Sequence, residues 1–410
     1  MTDARAVGAS PHHAQESLLY FDHAASAPRR PEVFEAMAPY TTGAVGNPSG
    51  AHRAGRTAKA ALECAREEVA ALTGSTPGGV VFTGGGTESC NLAVFGVAAD
   101  HTRRGRIARV AVSAIEHHAV LDAAERLGRG LLSSPVEVIT LPVGADGTVD
   151  LAAAAALLSA GAELVSVMTA NNEVGTIQPI PELAALVHEV APGAVVHTDA
   201  VAAAPWLDLR IDAAGADLVT VCAHKLGGPV GIGALCLRRE LALVPLLVGG
   251  GQERGRRAGT PDVAAAIGLA TSLRLAAAER EAVVALSAAR RDHLSKLLTS
   301  SLDETWLTAP GARILPGTCH LTIGGVTSEE LVFLCDEAGL CVSAARAEPR
   351  PRCDGRRRDA GTRFAAADPR RRDDGRRRRT CRRDRGRIGA PAAGRWQLSP
   401  RPGRDRALAQ

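Results

Sequence analysis

The apolar positions of this chain follow two rhythms. Short unbroken apolar runs alternate with longer segments in which apolar residues recur every three or four positions. The runs are Gly79–Thr83, Arg109–Ile115, Glu163–Ala170, Ala194–Ala200, Asp217–Ala223 and Ile232–Leu237. A strand buried on both faces has no solvated side, so such runs predict a mostly parallel sheet covered by helices. Ala- and Leu-rich segments such as Arg56–Leu72, Glu88–Val97 and Leu151–Leu158 supply the expected cover. Strands alternating with helices imply an α/β fold. Asp262–Leu298 predicts one or two long helices that bridge to a smaller α+β domain. A strand in Cys319–Gly325 and a helix in Thr327–Gly339 are expected there.

Length and composition sharpen this picture. A chain of 410 residues suits a large domain plus a smaller one. Hydrophobic residues are 46% but aromatics only 3%, so Ala, Val and Leu must fill the core. Nine cysteines without a C-x-x-C spacing read as reduced, mostly buried thiols of a cytoplasmic protein. The opening segment lacks the apolar stretch of a signal peptide, and residues 1–17 read as a disordered tail. His12 and His13 there are not expected to hold a metal. No apolar run reaches membrane-spanning length, so no membrane partner is expected. The net charge of +4 hides a crowd of basic residues after Arg346.

Polar residues gather where the apolar runs end. Gly84, Gly85, Gly86, Thr87 and Glu88 follow one strand and open a helix, where backbone N–H groups attract anions. Glu116 and His117 follow the second run, and Asn171, Asn172 and Glu173 the third. Asp199 closes the fourth, while His224 and Lys225 follow the fifth. Each has an ordinary reading alone: a structural histidine, a turn asparagine, a helix-capping aspartate, a solvated lysine. In an open α/β sheet, ligands bind beyond the carboxyl ends of the strands, where all of these would converge. Pyridoxal 5'-phosphate chemistry needs such a set. A lysine amine forms a Schiff base, and a carboxylate keeps the ring nitrogen protonated. A flat ring stacks on the cofactor, an amide bonds its phenolic oxygen, and a helix N-terminus takes the phosphate.

The motifs YFDHAASAP (20–28), GNPSGAHRAGR (46–56), VVFTGGGTESCNLA (80–93), EHHAVL (116–121) and NNEVGTIQPI (171–180) strengthen that reading. They are joined by HTDAV (197–201), AHKLGGPVGIGAL (223–235) and GGGQERGRRAGTPDV (249–263), and the resemblance they carry covers about four-fifths of the chain. In combination the chain resembles the cysteine desulfurases (NifS/IscS-like) of the class V aminotransferase family, pyridoxal-phosphate enzymes of fold-type I. The resemblance implies a seven-stranded, mostly parallel sheet with helices on both faces, plus a smaller α+β C-terminal domain that is incomplete here. It implies Lys225 as the Schiff-base lysine and Asp199 as the partner of the pyridine nitrogen. His117 would stack on the ring and shuttle protons, and Asn172 would bond the cofactor oxygen. Gly86, Thr87, Cys222 and His224 would hold the phosphate, and Thr260 would reach it across a homodimer interface. The implied substrate is L-cysteine or a related amino acid. The implied partner is a sulfur acceptor or an iron–sulfur scaffold protein.

Three departures stand out. Ala202 replaces the family's glutamine, which removes a bond to the ring oxygen. Cys222 replaces a serine, and a thiol is the weaker donor. After Cys341–Ala345 the family carries a catalytic-cysteine loop and then a strand with a carboxylate-binding arginine. This chain continues instead with an Arg-rich stretch that shows no strand or helix period. A disordered basic tail or a nucleic-acid-binding tail would read this way, although no aromatic residues interleave the charges. Out-of-frame translation fits better. Shifted by one base, the codons of 346–355 permit Glu-Pro-Ser-His-Val-Leu-Ala-Ala-Met-Gly, and those of 364–370 permit Ser-Leu-Arg-Leu-Thr-Leu-Gly. Both segments resemble the family. The cysteine loop is then deleted, Cys341 precedes its position, and Cys353 and Cys381 are accidental. The expected organisation is a tail at 1–17, a cofactor-binding domain at 18–260, bridging helices with a truncated small domain at 261–345, and an aberrant tail at 346–410. No nucleic-acid partner is expected. Another class V transamination or lyase activity and a degenerate, non-catalytic cofactor-binding protein are the rival readings.

Overall fold

A computed structural model describes residues 18–42, 46–132, 134–238 and 240–344, together with the backbone of 362–365. The proposed tail at 1–17, Cys353, Cys381 and most of 346–410 lie outside the described residues.

The chain opens with β1 (Leu19–Tyr20), α1 (Pro31–Met37) and α2 (Arg53–Thr73). Then follow β2 (Val80–Thr83), α3 (Gly86–Arg103), β3 (Ala108–Ser113), α4 (His118–Gly128) and β4 (Val136–Leu141). Next are α5 (Leu151–Leu158), β5 (Leu164–Ser166), α6 (Ile180–Val190), β6 (Val195–Asp199), α7 (Ile211–Ala214), β7 (Leu218–Cys222) and β8 (Gly233–Leu237). The last part holds α8 (Val263–Ser301), β9 (Thr305–Leu307), β10 (Thr318–Ile323), α9 (Ser328–Glu337), β11 (Leu340–Cys341), β12 (Ser343–Ala344) and β13 (Thr362–Ala365).

Seven strands form one sheet in the order β2-β8-β7-β6-β5-β3-β4. Within it β8 alone runs against its neighbours β2 and β7, while the other pairings are parallel. The expected seven-stranded α/β sheet is therefore present. Successive strand residues feed opposite faces. Val80, Phe82, Val165, Val196 and Val219 join one core cluster; Val81, Val110, Leu164, Val195 and Leu218 join the other. This period of two is why the runs read as continuously apolar. The sequence reading missed β4 because β4 is an edge strand. Among the described residues it pairs only with β3, and its Val-Glu-Val-Ile-Thr-Leu leaves Glu137 and Thr140 exposed.

The helices are set by their ends. Asp150 caps α5 by accepting the Ala153 N–H at 3.0 Å, and Asp262 caps α8 by accepting the Ala265 N–H at 2.9 Å. Gly74 closes α2 in the left-handed conformation, φ 68°. One uninterrupted helix of 39 residues occupies the segment read as one or two helices.

The smaller sheet runs β12-β13-β10-β9. Its strand β13 comes from the stretch expected to have no strand. Thr362–Ala365 pairs antiparallel with Thr318–Leu321 of β10 and also with β12. Pairing needs backbone N–H and C=O groups rather than a side-chain period, and this slot would otherwise leave two strand edges open.

Candidate functional site

The carboxyl ends of β2, β3, β5, β6 and β7 lie along one rim of the large sheet, because these strands all run in the same sense. Every polar group singled out there leaves one of them.

After β2 the chain turns through Gly85 at φ 145°, a backbone conformation that side chains rarely adopt, and α3 begins at Gly86. A Cβ on Gly86 would lie 2.8 Å from Val201 Cγ2, so only glycine lets the α3 N-terminus approach β6 and β7 this closely. Thr87 follows and is exposed. Glu88 closes the turn by accepting the Gly84 N–H at 2.6 Å, and Arg257 holds Glu88 from the 249–263 loop at 2.9 Å.

His117 caps α4: its Nδ1 accepts the Ala119 N–H at 3.1 Å. In the neutral ring the proton therefore sits on Nε2. Burial holds the imidazole below its ordinary value; Asp199 pulls it up, and Lys225 and His118 push it down. The preceding Glu116 is buried. Its Oε1 accepts from Ser113 Oγ at 2.6 Å and from the Met168 N–H at 2.7 Å. Burial pushes this carboxyl up to about 8, against those two bonds.

Asp199 ends β6 with its side chain buried. Oδ1 accepts the Val201 N–H at 2.9 Å, and Cys90 Sγ of α3 lies 3.4 Å from Oδ2. Burial raises this carboxyl, while Val201, Cys90, His117 and Lys225 all favour its charge. Below it, His197 is fully buried between Ser166 Oγ at 2.8 Å and Thr220 Oγ1 at 3.0 Å, which fixes the end of β6 between β5 and β7.

Lys225 sits in the 3-10 turn His224–Leu226 behind β7. Its Nζ donates to the carbonyl oxygens of Ala24 and Ala25, the latter at 2.9 Å. The segment DHAASAP is thus folded onto the lysine; Ala27 N–H also bonds the His224 carbonyl at 3.0 Å. Gly227, at φ 76°, leaves no room for a Cβ, which would meet Arg30 Cγ at 2.5 Å. Cys222 Sγ and His224 Nδ1 are 3.2 Å apart. Burial pushes the thiol up to about 12 and lowers the imidazole to about 4, so both are uncharged at neutral pH.

Asp199, His117 and Lys225 therefore act electrostatically on one another, and Gly86 and Cys222 approach them from neighbouring strand ends. Asn172 is half-buried beside Asn171, whose Oδ1 accepts the N–H groups of Glu173 and Val174. Thr260 is exposed on the loop before α8. Ala202 is half-buried and packs against the core. Sequence reasoning missed Cys90 and the Ala24–Ala25 carbonyls as parts of this site. The flanking motifs were visible, but the contacts join residues 109 to 201 positions apart.

The donor set fits pyridoxal 5'-phosphate. A buried carboxylate, an uncharged imidazole and a lysine amine lie beside a helix N-terminus cleared of side chains by Gly86. Among the described residues no cluster of His, Cys, Asp and Glu could hold a metal ion, and no helix is long and apolar enough to cross a membrane.

Comparison with known proteins agrees with this geometry. The family model for "Aminotransferase class-V" matches residues 19–364. An "IscS-like cysteine desulfurase" of Mycobacterium tuberculosis is 41% identical over 339 residues, 80% of this chain and 84% of that protein. A "Cysteine desulfurase IscS" of Dictyoglomus turgidum is 36% identical, over 80% of this chain and 82% of that protein. A solved "NIFS-LIKE PROTEIN" superposes with a TM-score of 0.78 at 30% identity, covering 85% of this chain and 93% of that one. A structure described as "SspA in complex with cysteine" superposes at 0.68 and 30% identity, over 80% and 90% of the two chains. With the rim of strand ends, the lysine turn and the buried aspartate all in place, the chain belongs to the pyridoxal-phosphate-dependent aminotransferase class-V family, as a NifS/IscS-like cysteine desulfurase homologue.

Proposed function

We propose that this chain binds pyridoxal 5'-phosphate through Lys225 and that its reaction is cysteine desulfuration. In that reaction L-cysteine and an acceptor thiol give L-alanine and a persulfide. The observation that carries the reading is the convergence of Lys225, Asp199 and His117 at the rim of strand ends beside the Gly86 turn. When bound, the cofactor supplies an electron sink for the substrate's α-carbon.

The residues divide the remaining work. Lys225 holds its amine against the Ala24 and Ala25 carbonyls, at the mouth of β7. Asp199 offers a buried negative charge to the ring nitrogen. His117 keeps a proton on Nε2 and presents a flat uncharged face, suited to stacking and to proton transfer. Asn172 is the amide for the ring oxygen. The α3 N-terminus, with Gly86 and Thr87, takes the phosphate together with Cys222 and His224. Cys222 is a weak donor already within bonding distance of His224 Nδ1, so its own share in phosphate binding is small. Thr260, exposed, reaches the phosphate of a second copy in a homodimer. The sulfur acceptor is a thiol-bearing protein of iron–sulfur cluster or thiocofactor assembly.

The chain carries neither the family's cysteine loop nor its carboxylate-binding arginine in the expected places, so turnover of cysteine is impaired. Mixing purified chain with pyridoxal 5'-phosphate tests the first half: a visible absorbance band forms, and Lys225→Ala abolishes it. Adding L-cysteine tests the second half: little alanine or persulfide accumulates. A band that survives Lys225→Ala removes the lysine assignment. Robust persulfide formation removes the impairment.

A further inference from the structure

Cys90 lies in the first turns of α3 and is fully buried. Its Sγ is 3.4 Å from Asp199 Oδ2 on a strand 109 residues further along the chain. Burial and the Asp199 charge both push loss of its proton to high pH, so the sulfur is the donor and the carboxylate the acceptor. The other oxygen, Oδ1, accepts the Val201 N–H at 2.9 Å. Each carboxylate oxygen thus has one donor fixed by the fold. The plane of the carboxylate is set, and lone pairs remain on both oxygens for a ligand.

We propose that Cys90 is a positioning residue for Asp199: its thiol orients Oδ2 and favours the ionised carboxylate that faces the cofactor's ring nitrogen. The ligand half of this statement rests on the cofactor reading above; the thiol–carboxylate bond does not. The groups that act on this pair come from every packed element. They are Glu116 and His117 after β3, Thr220 on β7 and Lys225 behind it. Glu116 is a second buried acid, and it spends Oε1 on Ser113 and Met168 rather than on Asp199. Cys90 is therefore the side chain whose hydrogen bond to Asp199 the fold fixes from α3. A thiol suits the position because it is apolar enough for the helix core yet can donate.

Two substitutions separate orientation from packing. Cys90→Ala removes the donor, and Cys90→Ser keeps one of greater strength. Affinity for pyridoxal 5'-phosphate is measured by absorbance titration from pH 5 to 8. Protonating Asp199 weakens binding, so wild type loses affinity on the acid side. With Cys90→Ala the acid midpoint moves up and affinity at pH 6 falls about three- to tenfold, the net weight of one ordinary hydrogen bond, as suits a weak thiol donor. With Cys90→Ser the midpoint stays or moves down and affinity holds. Unchanged binding in Cys90→Ala, or Cys90→Ser behaving like Cys90→Ala, overturns the proposal. A readout on the cofactor-free chain separates the two levels. Asp199 without its thiol stays protonated to higher pH, so the stability lost with rising pH is lost at higher pH in Cys90→Ala than in wild type. If the wild-type chain binds no cofactor, this urea-denaturation profile still decides the Cys90–Asp199 bond. Coincident profiles overturn that bond.

Discussion

The rim of the large sheet and the small C-terminal sheet are built to different standards. The large sheet is buried on both faces, and its site residues stand on strands whose neighbours are fixed by two core clusters. Among the described residues the small sheet rests on a cluster of three buried residues, Cys319, Leu321 and Val342. Beside it Phe333 and Leu334 of α9 are each 62% exposed, and Trp306 of β9 is 56% exposed. The difference locates the robustness of this protein. Cofactor-binding geometry depends on the well-packed part. The thin part is where the sequence leaves the family pattern. An apolar face so open also favours association with other apolar surfaces.

Breaking the buried ion pair of the large domain gives the largest expected effect. Arg66 binds Glu253 through two bonds of 2.7 and 2.9 Å, and Glu253 also accepts the Phe82 N–H at 2.9 Å. Glu253→Ala leaves the buried guanidinium with only the part-exposed Glu63, at 3.2 Å, as a carboxylate partner, and a loss of about 3 kcal/mol in urea unfolding is expected. A loss below 1 kcal/mol would mean that this anchor of the 249–263 loop is dispensable.

Leu235→Ala, on β8 with no exposed surface, is expected to cost about 2–5 kcal/mol. The comparison sharpens if Leu321→Ala in the small sheet costs distinctly less, since fewer neighbours surround it. Equal costs would erase the contrast between the two sheets.

The third effect is a pH dependence. Burial raises the Glu116 carboxyl to about 8. In the unfolded chain it titrates near ~4.3. Between these values the native state holds a proton that the unfolded state has lost. Stability from this group is fully present below the unfolded value and is lost as pH rises towards 8, at about 1.4 kcal/mol per pH unit. Glu116→Gln should flatten that fall. An unchanged slope in the variant would assign the fall to another group.

The smallest effect belongs to the open face. Phe333→Ser and Leu334→Ser are expected to change stability by less than about 0.5 kcal/mol while raising solubility, because the native state already exposes both side chains. A loss of several kcal/mol would mean that a further segment covers α9.

Much of this was legible along the chain. Two-sided burial made the strands of the large sheet continuous apolar runs, so six of them could be placed, and glycine punctuation marked the turns after β2 and β7. Lys225, Asp199 and His117 were legible as residues at strand ends. The edge strand β4 was not, because an exposed face dilutes the apolar signal. The strand at Thr362–Ala365 was not, because its place comes from backbone pairing with β10 and β12. Resequencing the gene across the codons for Val342 to Arg352 decides between a restored frame with a cysteine loop and a real deletion.

The sequence by itself determined the α/β alternation and which polar residues stand at the strand ends, because each is written in a local pattern of a few residues. The tertiary structure alone decided which of those groups meet. Lys225 finds Ala24 and Ala25 from two hundred residues away, Cys90 finds Asp199, and Glu116 reaches the Met168 N–H beyond the neighbouring strand. A hydrogen bond is decided by a few tenths of an ångström between atoms that no local pattern relates, so only the packed sheet and its helices could set it.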